Sequence, residues 1–261
     1  MNIAQNFLAS AVGPEIRPDT EFRNHILTIT AAADDGRPLL DRKAYERLAA
    51  TLLAAADDDA VRVVVLRGLS GCFCLGGDLS EFLDATKHEA LIEAVTGMFR
   101  ALATFPKPIV ACVDGDAVGV GCTILFHCDM VIASPSSTFR VPFVDLGLVP
   151  DAATSILAPE RMGYAAAFRF FCLGDTLTAS EAKDLGLVAE IAAEATEDWT
   201  YSRARQLAKK PVEALRQTRE LLRRDGKHLC DRIDEEVSLF HKALQDETTL
   251  RRLARIARRA A

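Results

Sequence analysis

Residues 61–67 (VRVVVLR) are mostly β-branched, with four valines among seven positions, and residues 22–32 (FRNHILTITAA) form the other early run rich in strand formers. Both predict strands, and the valine-rich character of the first predicts burial on both faces. Between them Tyr45, Leu48, Leu52 and Leu53 recur at helical spacing, so residues 41–56 are expected to form a helix with Asp41 at its cap. A turn-rich stretch, 68–78, leads to a second helical segment at 88–104, which Pro106 and Pro108 end. Residues 109–113 read as a third strand, 122–126 as a short buried helix after Gly115, Gly119 and Gly121, and 130–133 as a fourth strand.

Strands separated by helices imply crossover connections and mainly parallel pairing, so the fold class is α/β. From about Ala152 the pattern changes: glycines and strand formers thin out, and helical spacing dominates at 199–209, 212–224, 231–245 and 247–259. The expected organisation is an α/β core over residues 1–195 and a helical C-terminal region over 196–261, with no low-complexity linker between them.

Composition narrows the function classes. The 261 residues are 49% hydrophobic and 26% charged, as in an ordinary globular chain that buries a core without disulfide or metal staples. Thirty-seven acidic residues against 31 basic ones leave a net charge of -6, which argues against a general binder of nucleic acid or of an anionic membrane. No apolar run reaches the roughly 18–20 residues of a membrane span. Residues 1–18 lack the basic start and continuous apolar stretch of an export signal, so the expected location is cytoplasmic. Seven cysteines, an odd number lying mostly in apolar segments, read as reduced thiols, and neither they nor the five histidines fall at metal-ligand spacing.

The candidate chemistry sits in two glycine-bearing turns that each follow a predicted strand, 71–78 (GCFCLGGD) and 114–121 (DGDAVGVG). Ligands commonly bind at such places in parallel sheets. Neither turn ends in the Gly-Lys-Ser/Thr of a phosphate loop or completes a dinucleotide fingerprint, so each alone reads as a tight turn.

In order along the chain, however, VRVVVLRGLSGCFCLGGDLSEF, KPIVACVDGDAVGVGCTILFHCDMVIAS, FRVPFVDLGLVPDAATS and LTASEAKDLGLVAEI resemble the crotonase family, the enoyl-CoA hydratase and isomerase superfamily. The resemblance covers roughly residues 20–245. It implies a spiral of repeated β-β-α units, a C-terminal helical trimerisation region and a homotrimer or a hexamer made of two trimers. It also implies a site for an acyl-CoA thioester, with coenzyme A entering as part of the substrate and no metal, flavin or nicotinamide required. Two backbone N–H groups would hold the thioester oxygen, and the matching residues are Gly77 and Val120. Cys74, Leu75, Gly76, Gly121, Thr123 and Phe143 are expected around the substrate.

The reaction implied depends on carboxylates. Hydratases of the family carry two glutamates, and those positions hold Thr123 and Phe143, neither of which exchanges protons at neutral pH. Isomerases of the family use one carboxylate after the second proline of the third segment, where this chain has Asp151, one methylene shorter than the family's Glu. Apolar neighbours would raise its pKa and suit it to act as base and acid.

Four other readings of this site stay open, the first a hydratase-like acyl-CoA enzyme that uses Asp151. Asp151 could simply cap the helix after Pro150. It could be a nucleophile as in the 4-chlorobenzoyl-CoA dehalogenases, although Thr96 and Phe143 stand where those enzymes carry His and Trp. The chain could also bind acyl-CoA without turning it over. Asp78 is expected to cap a helix starting at Leu79, Asp116 and Asp145 to lie at the surface, and His127 to be packed or capping. The basic tail 250–259 reads as a solvated face over an oligomer contact, or as Arg255 or Arg258 meeting CoA phosphates.

Overall fold

The structure, a computed structural model, describes residues 20–193 and 195–260. Residues 1–18, on which the export-signal reading rests, lie outside that range. The first strand expectation is corrected. Residues 22–32 do not run as one strand but turn back as a hairpin of β1 (Thr20–Arg23) and β2 (Ile26–Thr30), paired antiparallel. The turn is made by Asn24 and His25, both at positive φ (54° and 64°), a conformation that Asn and His adopt more readily than most residues.

From β2 onward the main sheet is parallel. Its strands are β3 (Val63–Arg67), β5 (Ile109–Val113), β7 (Met130–Ala133) and β10 (Glu190–Ile191), in the order β1-β2-β3-β5-β7-β10. Both faces of β3 are buried, as its β-branched run predicts. Val64 and Leu66 face the main core with α1 (Arg42–Asp57) and α3 (His88–Thr104), while Val63 and Val65 face α9 (Thr196–Ala208) through Ala204 and Ala208. Asp41 caps α1 as expected, its carboxylate accepting from the Ala44 amide at 2.8 Å.

A second sheet of four very short strands was not visible in the sequence pattern. It consists of β4 (Cys72–Cys74), β6 (Asp116–Val118), β8 (Thr138–Arg140) and β9 (Leu177–Thr178), with the first three parallel. Each long strand hands the chain to a short one and then to a helix. Thus β3 and β4 precede α2 (Leu79–Phe82), β5 and β6 precede α4 (Val120–Thr123), and β7 and β8 precede α5 (Phe143–Leu146). This is the expected spiral of β-β-α units.

The expected helix at 122–126 begins two residues earlier as α4 and tightens into a 3-10 turn over Ile124–His127. After α6 (Thr154–Met162), α7 (Tyr164–Phe168), a π-helical turn at Arg169–Leu173, α8 (Ala179–Asp184) and β10, the elements from Thr196 to Ala260 are all helices. They are α9, α10 (Val212–Leu222), α11 (Gly226–Leu244) and α12 (Glu247–Ala260). The helix expected at 231–245 starts at Gly226 instead, because the Asp225 carboxylate accepts from the Lys227 amide at 3.1 Å and sets the boundary. Leu229, Ile233, Leu244 and Leu253 from α11 and α12 belong to the same core as the sheets. No helix among the described residues is long and apolar enough to cross a membrane.

Candidate active site

The turns after β4 and β6 line one part of a cavity of about 290 Å³, and the loop before α6 lines another. On the first side Leu40 pairs with the turn: its N–H donates to the Gly76 carbonyl and its carbonyl accepts from the Asp78 amide, both at 2.9 Å. The intervening Gly77 N–H is left on the opposite edge, and among the described residues it has no protein acceptor. Only glycine fits there, since a Cβ would stand 2.8 Å from the Phe82 ring and 2.8 Å from the Tyr45 hydroxyl. Nearby, Gly119 at φ 55° donates to the Arg140 carbonyl and accepts from the Cys122 and Thr123 amides, all at 2.9 Å. The Val120 N–H, in the first turn of α4, is an orphan donor and likewise has no acceptor among the described residues.

The second side carries Asp151, whose side chain faces the cavity although the residue is only 8% exposed. Its Oδ1 is buried and has no hydrogen-bond partner among the described residues. Burial pushes this carboxyl up to about 7; the adjacent Thr123 hydroxyl opposes the rise and the nearby Glu236 carboxylate adds to it. The capping reading of Asp151 is corrected by these contacts. Only its backbone carbonyl serves α6, accepting from the Thr154 amide at 3.0 Å and the Thr154 hydroxyl at 2.5 Å. The amides of Ala153 and Ser155 donate instead to Glu236 of α11, at 2.6 and 3.0 Å.

The loop between them is tightly held. Ala152 and Ala153 both sit in the left-handed region, at φ 59° and 56°. The Ala152 carbonyl accepts from His127 Nε2 at 2.7 Å; burial holds that imidazole down to about 3, so the ring is neutral and Nε2–H is the donor. His127 is therefore a packed residue, as expected.

The remaining walls are apolar. Phe143, Leu146 and Leu148 line one flank, and Val237, Phe240 and Ile256 bring α11 and α12 onto the cavity. Phe82 meets Phe240 edge-on at 5.8 Å between ring centres. Arg140 and Asp145 stand on the rim as an ion pair at 3.1 Å.

The cavity thus gathers Gly77, Val120, Asp151, Leu75, Gly76 and Phe143, while Cys74, Gly121 and Thr123 lie behind its lining. A Cβ on Gly121 would stand 2.4 Å from the Cys74 carbonyl, so Gly121 is where two backbones close on each other. Cys74 is fully buried, its thiol pushed up to about 12 by burial. Thr123 is buried against Asp151, its hydroxyl 3.4 Å from the Val120 carbonyl.

Asp78 caps α2 as expected, accepting from the Ser80 amide at 2.9 Å, and also pairs with Arg37 at 2.8 Å. Asp116 lies off the cavity and accepts from the Thr138 hydroxyl at 2.6 Å. Thr96 lies within α3, donating to the Ile92 carbonyl at 2.6 Å, and Arg255 and Arg258 are exposed on α12. No three His, Cys, Asp or Glu side chains among the described residues are placed to hold a metal.

Sequence reasoning did not anticipate Glu236 or the approach of the Tyr45 hydroxyl to Gly77. Glu236 had one available signal: α6 begins without a capping side chain or an acidic residue in its first turn, so its amides needed an acceptor from elsewhere. Chemically, two unclaimed amides share a cavity with a buried carboxyl whose pKa is raised to about 7.

Comparison with known proteins places this geometry in context. A family profile described as enoyl-CoA hydratase/isomerase matches residues 21–254. The chain is 36% identical to enoyl-CoA delta isomerase 2 of Rattus norvegicus over 198 residues, 74% of this chain and 50% of that protein, so it spans half the length of that relative. It is 29% identical to the 2,3-dehydroadipyl-CoA hydratase of Escherichia coli (strain K12), over 78% of this chain and 83% of that one. Among solved structures, an enoyl-CoA hydratase/isomerase from Pseudoalteromonas atlantica T6c matches with a TM-score of 0.84 at 31% identity, covering 92% of this chain and 96% of that chain.

Proposed function

The chain belongs to the enoyl-CoA hydratase/isomerase family, and on that premise we propose that it moves the double bond of a 3-enoyl-CoA to the conjugated 2-position. The thioester oxygen lies between the Gly77 and Val120 N–H groups. Ionised Asp151 takes a proton from C2, and the electron pair shifts into the thioester, leaving a dienolate with its charge on that oxygen. Asp151 then delivers the same proton to C4, the 2,3 double bond forms, and the carboxylate is restored. Coenzyme A takes part only as the substrate's own thiol portion.

The observation that carries this reading is the buried Asp151 carboxyl, its Oδ1 without a partner among the described residues, lining the same cavity as two unclaimed amides. Preset donors of this kind lower an enolate barrier by about 3 kcal/mol each. A carboxyl whose pKa lies near 7 exists in both protonation states at the working pH, as one group serving as base and then acid requires. Phe143 on the cavity and Thr123 behind it leave the two-glutamate route to water addition without its groups.

The test is the absorbance change as 3-enoyl-CoA becomes conjugated 2-enoyl-CoA, with hydration of 2-enoyl-CoA followed in parallel. Turnover of the first substrate should fall about 10³-fold in Asp151→Asn. Hydration outpacing isomerisation in the native protein, or isomerisation that survives the substitution, would overturn the assignment.

A further inference from the structure

Glu236 is an unusual residue to find where it is: a carboxylate only 4% exposed, on α11, aimed at the start of a helix from another part of the chain. Its two oxygens take the Ala153 and Ser155 amides at 2.6 and 3.0 Å, which ties down the second residue of the left-handed pair that follows Asp151 directly and the helix start beyond it. A capping hydroxyl or amide could satisfy one of those donors. Glu236 satisfies both, and it adds a negative charge within electrostatic reach of Asp151.

We propose that Glu236 is the positioning residue for Asp151, fixing the backbone that carries it and presenting a second carboxylate to it. The inference takes Asp151 as the proton carrier of the reaction proposed above.

The surroundings isolate the pair. Facing Asp151 are the Thr123 hydroxyl from α4, Glu236 from α11, and the buried Tyr45 phenol and Cys122 thiol, both of which burial holds protonated. Facing Glu236 are the Ser155 hydroxyl and amide, the Ala153 amide and Arg232, one turn earlier on its own helix. His127, on the far side of the loop, is neutral. Burial pushes Glu236 up to about 7 as well, against the pull of the α6 amides. The negative charge of Glu236 delays ionisation of Asp151, and by linkage the effect is reciprocal.

The measurement is a carbon-13 NMR titration of the full chain carrying labelled Asp and Glu carboxyls, with resonances assigned by their loss in Asp151→Asn and Glu236→Gln. The Asp151 midpoint should fall by about one pH unit in Glu236→Gln, and reciprocally the Glu236 midpoint should fall in Asp151→Asn. In the 3-enoyl-CoA assay the acidic limb of the kcat profile should shift with it while KM stays within about twofold, and Glu236→Ala should lose kcat at least tenfold as the loop relaxes.

An Asp151 midpoint unmoved by Glu236→Gln overturns the proposal. If Glu236→Gln does not fold, an unmoved Glu236 midpoint in Asp151→Asn overturns it equally. Coupled midpoints in a protein without isomerase turnover would refute the proposed reaction and leave the pairing standing.

Discussion

The side of the cavity that offers Gly77 and Val120 is made of backbone, whereas the side that offers Asp151 is made of side chains borne on a loop and a helix start. The first is held by strand-like pairing with Leu40 and by the packing of Gly121 on Cys74. The second is held by His127, Thr154 and Glu236, the last of them 83 positions from Ala153. The difference is one of tolerance. Backbone donors survive a change of side chain but not the arrival of a new Cβ, while a side-chain acid survives neither its own replacement nor the loss of distant supports.

Substitutions on each side can break or sharpen that contrast. The largest effect on folding should come from Gly121→Ala, which brings a Cβ to 2.4 Å from a backbone oxygen that has no room to yield. A loss of about 3 kcal/mol, or roughly 6–12 °C in Tm, is expected, to be read by thermal unfolding. A Tm within 2 °C of the native value would show the backbone side to be softer than its packing implies.

A smaller effect, opposite in sign, belongs to the other side. Asp151 has a folded pKa of about 7, above its unfolded value, so its stabilising contribution is complete below about pH 4 and is lost as pH rises through 7. Asp151→Asn abolishes that loss. The variant should unfold roughly 2–5 °C above the native protein at pH 8 and close to it at pH 4, whatever happens to turnover. Equal Tm values at pH 8 would mean that the ionised carboxylate finds solvation the structure does not reveal.

The smallest effect is expected at Val120→Ala, which keeps the amide and removes two methyls from the cavity wall. We expect kcat within about threefold of native, because the donor is unchanged. A tenfold loss would place the side chain, rather than the N–H, in contact with the reacting atoms.

The same division governs what could be read from the amino-acid order. VRVVVLR declares a strand buried on both faces, and Asp41 and Asp78 cap helices where their positions suggest, because those signals are local. The hairpin at Asn24 and His25 escaped because neither Gly nor Pro marks it. The second sheet escaped because three residues such as CFC or DAV are too few to show a period of two. Gly77, Val120 and Asp151 could be placed together only through the ordered motifs, since spacing alone does not bring residue 151 to residue 77. Glu236 left only the indirect signal of the uncapped α6: in the sequence it is one of two consecutive glutamates in an ordinary amphipathic helix, and its burial depends on a partner far away in the chain.

That long reach has a consequence for the order in which the molecule is assembled. A ribosome adding about 5–20 residues per second completes Ala153 some 4–17 s before Glu236, given the 83 positions between them. Throughout that interval both glycine turns and the aspartate have been synthesised, yet the first turn of α6 lacks its acceptor, and the faces of Phe240 and Ile256 that cover the cavity do not exist. Until then the segments that will line the cavity lack the apolar cover of Phe240 and Ile256, and this is the stage at which a chaperone would find the most apolar surface to hold.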